Sequence, residues 1–226
     1  MPDVAHRPHP DVVPDCLAPL HVDAHLLAFD KPGGLLSVPG RGADLYDSLA
    51  TRAIAQWPDA RVVHRLDMAT SGVIVMARGL DAQRALSIAF AERRVEKRYI
   101  AVVDGWPADD AGEIDLPLLT DWPNRPRQMV DPVAGKPSLT LWRVLDRDTG
   151  PDGAPRARLA LTPVTGRSHQ LRVHLQAIGH PILGDALYAH QDALVRAPRL
   201  LLHAESLELP HPADGRLLRL QAGVPF

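Results

Sequence analysis

Two stretches of this 226-residue chain hold side chains whose types and spacing suit chemistry. In the first, His64-Arg65-Leu66-Asp67-Met68-Ala69-Thr70-Ser71-Gly72, a carboxylate follows a guanidinium and leads into a run of turn-forming residues. An Asp in that setting commonly bonds backbone amides two or three residues on, as a turn or cap residue. Asp67 also lies between "RVVHRLD" and "GVIVMA", apolar runs that read as buried strands, where a charge without a paired cation is expensive. The second stretch, "TGRSHQLRVH" (165–174), supplies candidate cations, and its Arg167 precedes a helix start. A buried guanidinium beside Asp67 would favour the carboxylate form that a nucleophile or base requires. Catalyst and cap are both open at this point.

Simpler motifs do not account for these stretches. "HRLD" is not the kinase catalytic loop: Leu66 intervenes, no Asn lies five residues after the Asp, and neither a glycine-rich G-x-G-x-x-G loop nor D-F-G occurs. Ser168 has no G-x-S-x-G setting. His169 and His174 are five apart, off a common helix face, and there is no H-E-x-x-H.

The elements that must position these residues follow from periodicity. Residues 1–20, with five prolines, read as a loose arm, and 24–40 as a strand, a Pro-Gly-Gly turn and a second apolar run. Asp44 is a good N-cap for an amphipathic helix with Leu45, Leu49 and Ala53 on one face, stopped at Trp57-Pro58. Asp81 opens a second helix carrying Ala82, Leu86, Ala89 and Phe90, and a strand follows at 98–105. Residues 106–137 lack periodicity and read as an excursion carrying "DWPNRPRQ" (121–128). Strands at 139–145 and 157–164 are joined by a polar hairpin loop, and Ser168 can cap a helix bearing Leu171, Leu175 and Ile178. "RLLLHAESLEL" and "RLLRLQA" close the chain as strands. Strands outnumber helices and often follow one another through short loops, which predicts an α+β fold with a largely antiparallel sheet.

Composition narrows the partners. No apolar run approaches the ~20 residues of a membrane helix, and the first twenty residues lack the apolar core of a signal peptide. One cysteine, Cys16, excludes an internal disulfide framework and a cysteine-based zinc site. A cytoplasmic protein is expected. The net charge of −2 hides segregation: between Asp152 and Asp185 there is no acid, while Arg156, Arg158, Arg167 and Arg172 fall there. Glu92 to Arg98 holds Arg93, Arg94, Lys97 and Arg98 against Glu92 and Glu96. From charge alone, both segments read as solvated faces.

Five blocks in order give a sharper expectation. "KPGGLLSVPGR" (31–41), "HRLDMATSGVIVMA", "KRYIAVV", "GRSHQLRVHLQAIGHPILGD" and "LLLHAESLELPHP" resemble segments of the RluA family of pseudouridine synthases, from about Phe29 to Pro225. The resemblance implies a mixed, mostly antiparallel sheet with flanking helices and a central RNA-binding cleft, no metal and no cofactor. It implies conversion of a uridine in RNA to pseudouridine, exchanging an N1–C1′ glycosidic bond for C5–C1′. Asp67 matches the essential aspartate and Arg167 the arginine paired with it. Tyr99 matches the tyrosine that packs on the base, and Arg65 the arginine that fills the gap left by a flipped nucleotide. With RNA as substrate, His64, Arg94, Lys97, Arg98, His169 and Arg172 become expected RNA contacts. About twenty residues precede the first strand, so one catalytic domain over 21–226 is expected, without the small N-terminal RNA-binding domain of many family members. Residues 115–138 and "VHRLDMATSGVIVMA" resemble the short members of dual specificity, which implies tRNA (an anticodon-loop uridine) and 23S rRNA as substrates; a monomer without an obligate protein partner is expected. The rival readings are an RluA-type synthase acting on a single other rRNA or tRNA uridine, an RNA-binding or remodelling protein on the same fold, and a hydrolase using His169 or His174.

Overall fold

Aliphatic and β-branched runs become strands, and the burial of each strand shows which of its faces is covered. The computed structural model describes residues 18–42 and 45–226. Cys16, Asp44 and most of the expected N-terminal arm lie outside these. In chain order the first elements are β1 (Pro19–Val22), β2 (Leu26–Lys31), α1 (Leu49–Gln56), β3 (Ala60–Val62), β4 (Ser71–Arg78) and α2 (Gly79–Ala91). Then come β5 (Glu96–Asp104), β6 (Ala111–Asp115), β7 (Leu118–Thr120), β8 (Gln128–Val130), β9 (Leu139–Thr149), β10 (Pro155–Pro163), α3 (Gln170–Ala177) and α4 (Gln191–Val195). The last are β11 (Leu202–Pro210) and β12 (Leu217–Gln221).

Among the described residues two compact units share the chain: a continuous one, Arg98–Leu202, and a discontinuous one, residues 18–97 with His203–Phe226. In the discontinuous unit β1, β2, β4 and β11 are neighbours in that order, with β3 also on β4 and β12 on β11. All these pairings are antiparallel except β4 with β11, where Ser71 and Gly72 lie opposite His203 and Ala204. β4 is buried along nearly its whole length, which is why it reads as a continuous apolar run rather than an alternating one. Leu26, Ala28, Val73, Val75, Leu207 and Leu209 pack with Leu86 and Ala89 of α2 as one core. In the continuous unit β5, β10, β9 and β6 form an antiparallel series. β10 alternates, with Ala157, Leu159 and Leu161 buried. β7 and β8 form a separate hairpin.

Several elements depart from the sequence reading. β1 starts at Pro19, inside the expected arm. α1 begins at Leu49, where Ser48 and Thr51 form a reciprocal capping box that satisfies two backbone donors. α2 begins at Gly79, with Asp81 in its first turn rather than at its cap. Ahead of Asp67 only Ala60–Val62 is a strand; 63–67 is irregular. Residues 106–137 hold three strands, the edge strand "AGEID" and two of three residues each, too polar or too short to show periodicity. α3 is preceded by His169, not Ser168, as its N-cap. Among the described residues, no helix is long and apolar enough to cross a membrane.

Candidate active site

Asp67 lies half-buried on the loop between β3 and β4, and both of its chain neighbours are fixed from below. The Ser37 hydroxyl donates to the Leu66 carbonyl (2.7 Å) and accepts from the Leu66 amide (3.0 Å). The Met68 carbonyl accepts from the Gly34 amide (2.8 Å) and from Lys31 Nζ (3.1 Å). Lys31 is fully buried and also donates to the carbonyls of Pro32 (2.9 Å) and Leu35 (2.8 Å), so one ammonium serves three backbone oxygens. The Thr70 amide closes the turn on the Asp67 carbonyl (3.1 Å). A charge is tolerated at this depth because every proton of the ammonium has an acceptor.

The exit of the loop is equally constrained. Gly72 sits at φ +114°, and a Cβ there would lie 2.3 Å from the Ala204 carbonyl oxygen, so only glycine lets β4 approach β11. Ser71 Oγ and His203 Nδ1 are 2.8 Å apart across the same parallel pairing. On the entry side His64 Nε2 accepts the Val75 amide (3.0 Å), and its ring stacks on Phe90 with centroids 4.6 Å apart. Burial, and then the charge of Lys97, push the His64 pKa down to about 3, so the ring is neutral and able to accept. His64, one of the expected RNA contacts, anchors the chain ahead of Asp67 through these contacts. Between these fixed points Arg65 is exposed.

The basic segment after α2 turns sharply, with Arg93 at φ 59°. Arg94 is exposed and paired to Glu92 at 2.8 Å. Lys97 is half-buried, and burial followed by repulsion from Arg93 holds its pKa below the usual lysine value. In the continuous unit Arg98 is exposed and Tyr99 half-buried on β5, opposite Leu161 of β10.

The loop ahead of α3 is organised by a buried glutamine. Gln170 Oε1 accepts from Thr165 Oγ1 (2.8 Å) and the Arg167 amide (3.0 Å), while its Nε2 donates to the Leu139 carbonyl and Thr140 Oγ1 (both 3.0 Å). Arg167 is thereby held by its backbone with its side chain exposed. His169 occupies the left-handed region (φ 54°) with Nδ1 2.6 Å from the Tyr188 hydroxyl. Arg172 corrects the expectation of a phosphate contact. Its guanidinium is 5% exposed and forms a bidentate pair at 2.7 Å with Asp185, which is fully buried. Asp185 Oδ1 also accepts the amides of Leu187 and Tyr188 (2.9 and 3.2 Å). His174, the other candidate of the hydrolase reading, is fully buried with Nδ1 on Thr140 and Nε2 on the Leu116 carbonyl, a core role.

His64, Arg65 and Asp67 thus share one loop, and Arg167, His169 and Arg172 cluster at the start of α3. Sequence reasoning missed Lys31, Ser37, Gln170, Tyr188 and Asp185. All lie within or beside the quoted blocks, but their importance rests on partners up to 60 residues distant, as in Tyr188 with Gln128.

Residues 25–177 match the family model of RNA pseudouridylate synthase. The fold is that of two solved human proteins, RNA pseudouridylate synthase domain containing 1 (TM-score 0.80, 29% identity, 96% of this chain and 86% of that one) and domain containing 4 (0.71, 27%, 92% and 88%). The class is therefore an RNA pseudouridine synthase, an isomerase. At the sequence level the chain is 50% identical over 210 residues to the dual-specificity RNA pseudouridine synthase RluA of Escherichia coli O6:H1, covering 93% of this chain and 94% of that protein. It is 51% identical to the protein of the same name from Yersinia pestis, over 92% of this chain and 98% of that one. The chain belongs to the RluA family of RNA pseudouridine synthases.

Proposed function

We propose that this enzyme isomerises a uridine in the tRNA anticodon stem-loop and another in 23S rRNA, with Asp67 as its catalytic residue. The dual reading is carried by the near-full-length identity of 50% to a synthase named for dual specificity. In the reaction the N1–C1′ bond breaks, the uracil turns, and C5–C1′ forms; C5 gives up its proton to solvent and N1 gains one. Two routes lead there: attack by the Asp67 carboxylate, giving a covalent adduct, or its assistance of elimination to a glycal. Both need a carboxylate fixed in advance, and pinned backbone groups on either side of Asp67 supply that.

Tyr99 and Arg167 serve the same reaction, Tyr99 by packing on the base and taking a ribose proton, Arg167 through its charge. Chemistry on a base requires its extrusion from the stack. Arg65, exposed between fixed neighbours, fills the vacated space, since a planar guanidinium both stacks and donates hydrogen bonds. Arg94 and Arg98 are exposed and contact phosphate, and Lys97 and His169, each half-buried, contact the RNA as well. The enzyme acts in the cytoplasm as a monomer and reads a folded loop with splayed bases rather than duplex sequence.

Tritium release from C5-labelled uridine, in transcribed tRNA and in a 23S rRNA fragment, tests this with wild type and Asp67→Asn. Release from both RNAs by wild type and from neither by Asp67→Asn is expected. Release from one RNA only refutes dual specificity, and retained turnover in Asp67→Asn refutes the role of Asp67.

A further inference from the structure

The turn between β7 and β8 presents an aromatic ring that the fold does not use. Trp122, in a short 3-10 turn (Trp122–Asn124), is 65% exposed. The Arg125 guanidinium lies 4.4 Å above the centre of its ring. Between Trp122 and Val130 the only charged residues are Arg125 and Arg127. The acid that begins the turn, Asp121, already accepts from Asn124 Nδ2 at 3.0 and 2.9 Å. The tip therefore offers a wet indole face and positive charge. That combination suits the π-face of an unpaired base and the phosphate attached to it.

The tip is also fixed to the rest of its unit. The Asp121 amide bonds the Arg127 carbonyl and the Arg127 amide bonds the Asn124 carbonyl, both at 3.0 Å. At its base the Gln128 amide donates to the Tyr188 hydroxyl (2.8 Å), and the Arg127 guanidinium lies 5.2 Å from the centre of the Tyr188 ring. Leu118 and Val130 pack with Val173, Leu187 and Tyr188. The same hydroxyl meets His169, two residues from Arg167. Tyr188 thus ties the hairpin to the loop that carries Arg167.

We propose that Trp122, backed by Arg125, is a stacking platform for an unpaired base of the substrate RNA, and that this hairpin contributes to RNA selection. The proposal rests on the preceding reading only for the two RNAs used as probes.

The test measures tritium release with tRNA and rRNA fractions from a strain lacking this enzyme, grown on C5-tritiated uridine. Trp122→Ala should raise KM for RNA roughly 5- to 150-fold, the loss of one base stacked on an aromatic ring. Trp122→Phe should recover most of it, and kcat at saturating RNA should stay within threefold of wild type. A KM within twofold of wild type for Trp122→Ala overturns the proposal. So does a fall in kcat at unchanged KM, or a thermal midpoint lowered equally in both variants, because each marks a structural residue. Wild-type release from a single fraction would refute dual specificity alone and leave this comparison intact on that fraction.

Discussion

Lys31→Met removes the charge beneath the Asp67 loop while keeping an unbranched side chain of similar length. The Met68 carbonyl would keep its bond from Gly34, but the carbonyls of Leu35 and Pro32 would lose the Lys31 donor. The buried Leu35 carbonyl left without a donor costs about 1–3 kcal/mol, and the part-buried Pro32 carbonyl adds up to about the same again, hence at most roughly 6 kcal/mol for the two. Against this, burying an ammonium carries a desolvation cost of several kcal/mol, part of which the substitution relieves. The net expectation is a loss of about 2–4 kcal/mol, a sizeable part of the roughly 5–15 kcal/mol that holds a typical domain. Urea unfolding followed by tryptophan fluorescence measures it. Under conditions where the variant is folded, tritium release should show kcat lowered up to about a hundredfold, the effect of displacing a catalytic group by about 1 Å. KM for RNA should change less than threefold, because no RNA contact is assigned to Lys31. A variant within about 0.5 kcal/mol of wild type, or one with normal kcat, would refute the argument that this ammonium positions the Asp67 loop.

Two further outcomes follow from the site. His64 stays neutral in the fold down to about pH 3, whereas an unfolded histidine titrates near 6.5. The unfolded chain therefore takes up the proton first. The contribution of His64 is complete above about pH 6.5 and is lost as pH falls toward 3, with a slope of up to about 1.4 kcal/mol per pH unit. Urea unfolding from pH 7 to 4 should show a shallower loss for His64→Gln, and equal slopes would sink the idea. Arg172→Met should destabilise by about 3–5 kcal/mol, because it leaves Asp185 buried without its cation. The salt dependence of RNA binding should be unchanged in Arg172→Met and flatter in Arg94→Gln; a flatter slope for Arg172→Met would restore it as a phosphate contact.

The sequence by itself determined the reaction class and the types of most elements. Asp67 stood out because a carboxylate between apolar runs demands an explanation, and β4 and β10 were legible because their side chains follow the periods of covered and half-covered strands. The blocks around Asp67, Tyr99 and Arg167 carried the family. Boundaries were less legible: the capping box at Ser48 and the left-handed His169 are choices of backbone dihedral that a neighbouring Asp or Ser is by residue type equally able to make.

Only the tertiary structure decided which charged residues face solvent and which hold the fold. Arg94 and Arg172 look alike in sequence, yet one is exposed beside Glu92 and the other is buried against Asp185. His64 looked like part of a catalytic motif, and its acceptor bond to Val75 makes it a support. Lys31 is one basic residue in a Pro-Gly turn until three carbonyls, one of them 37 residues away, converge on its ammonium. A side chain's type sets which bonds it can make. Which groups meet it at 2.7–3.1 Å depends on chain segments far apart in sequence, and local pattern carries no information about them.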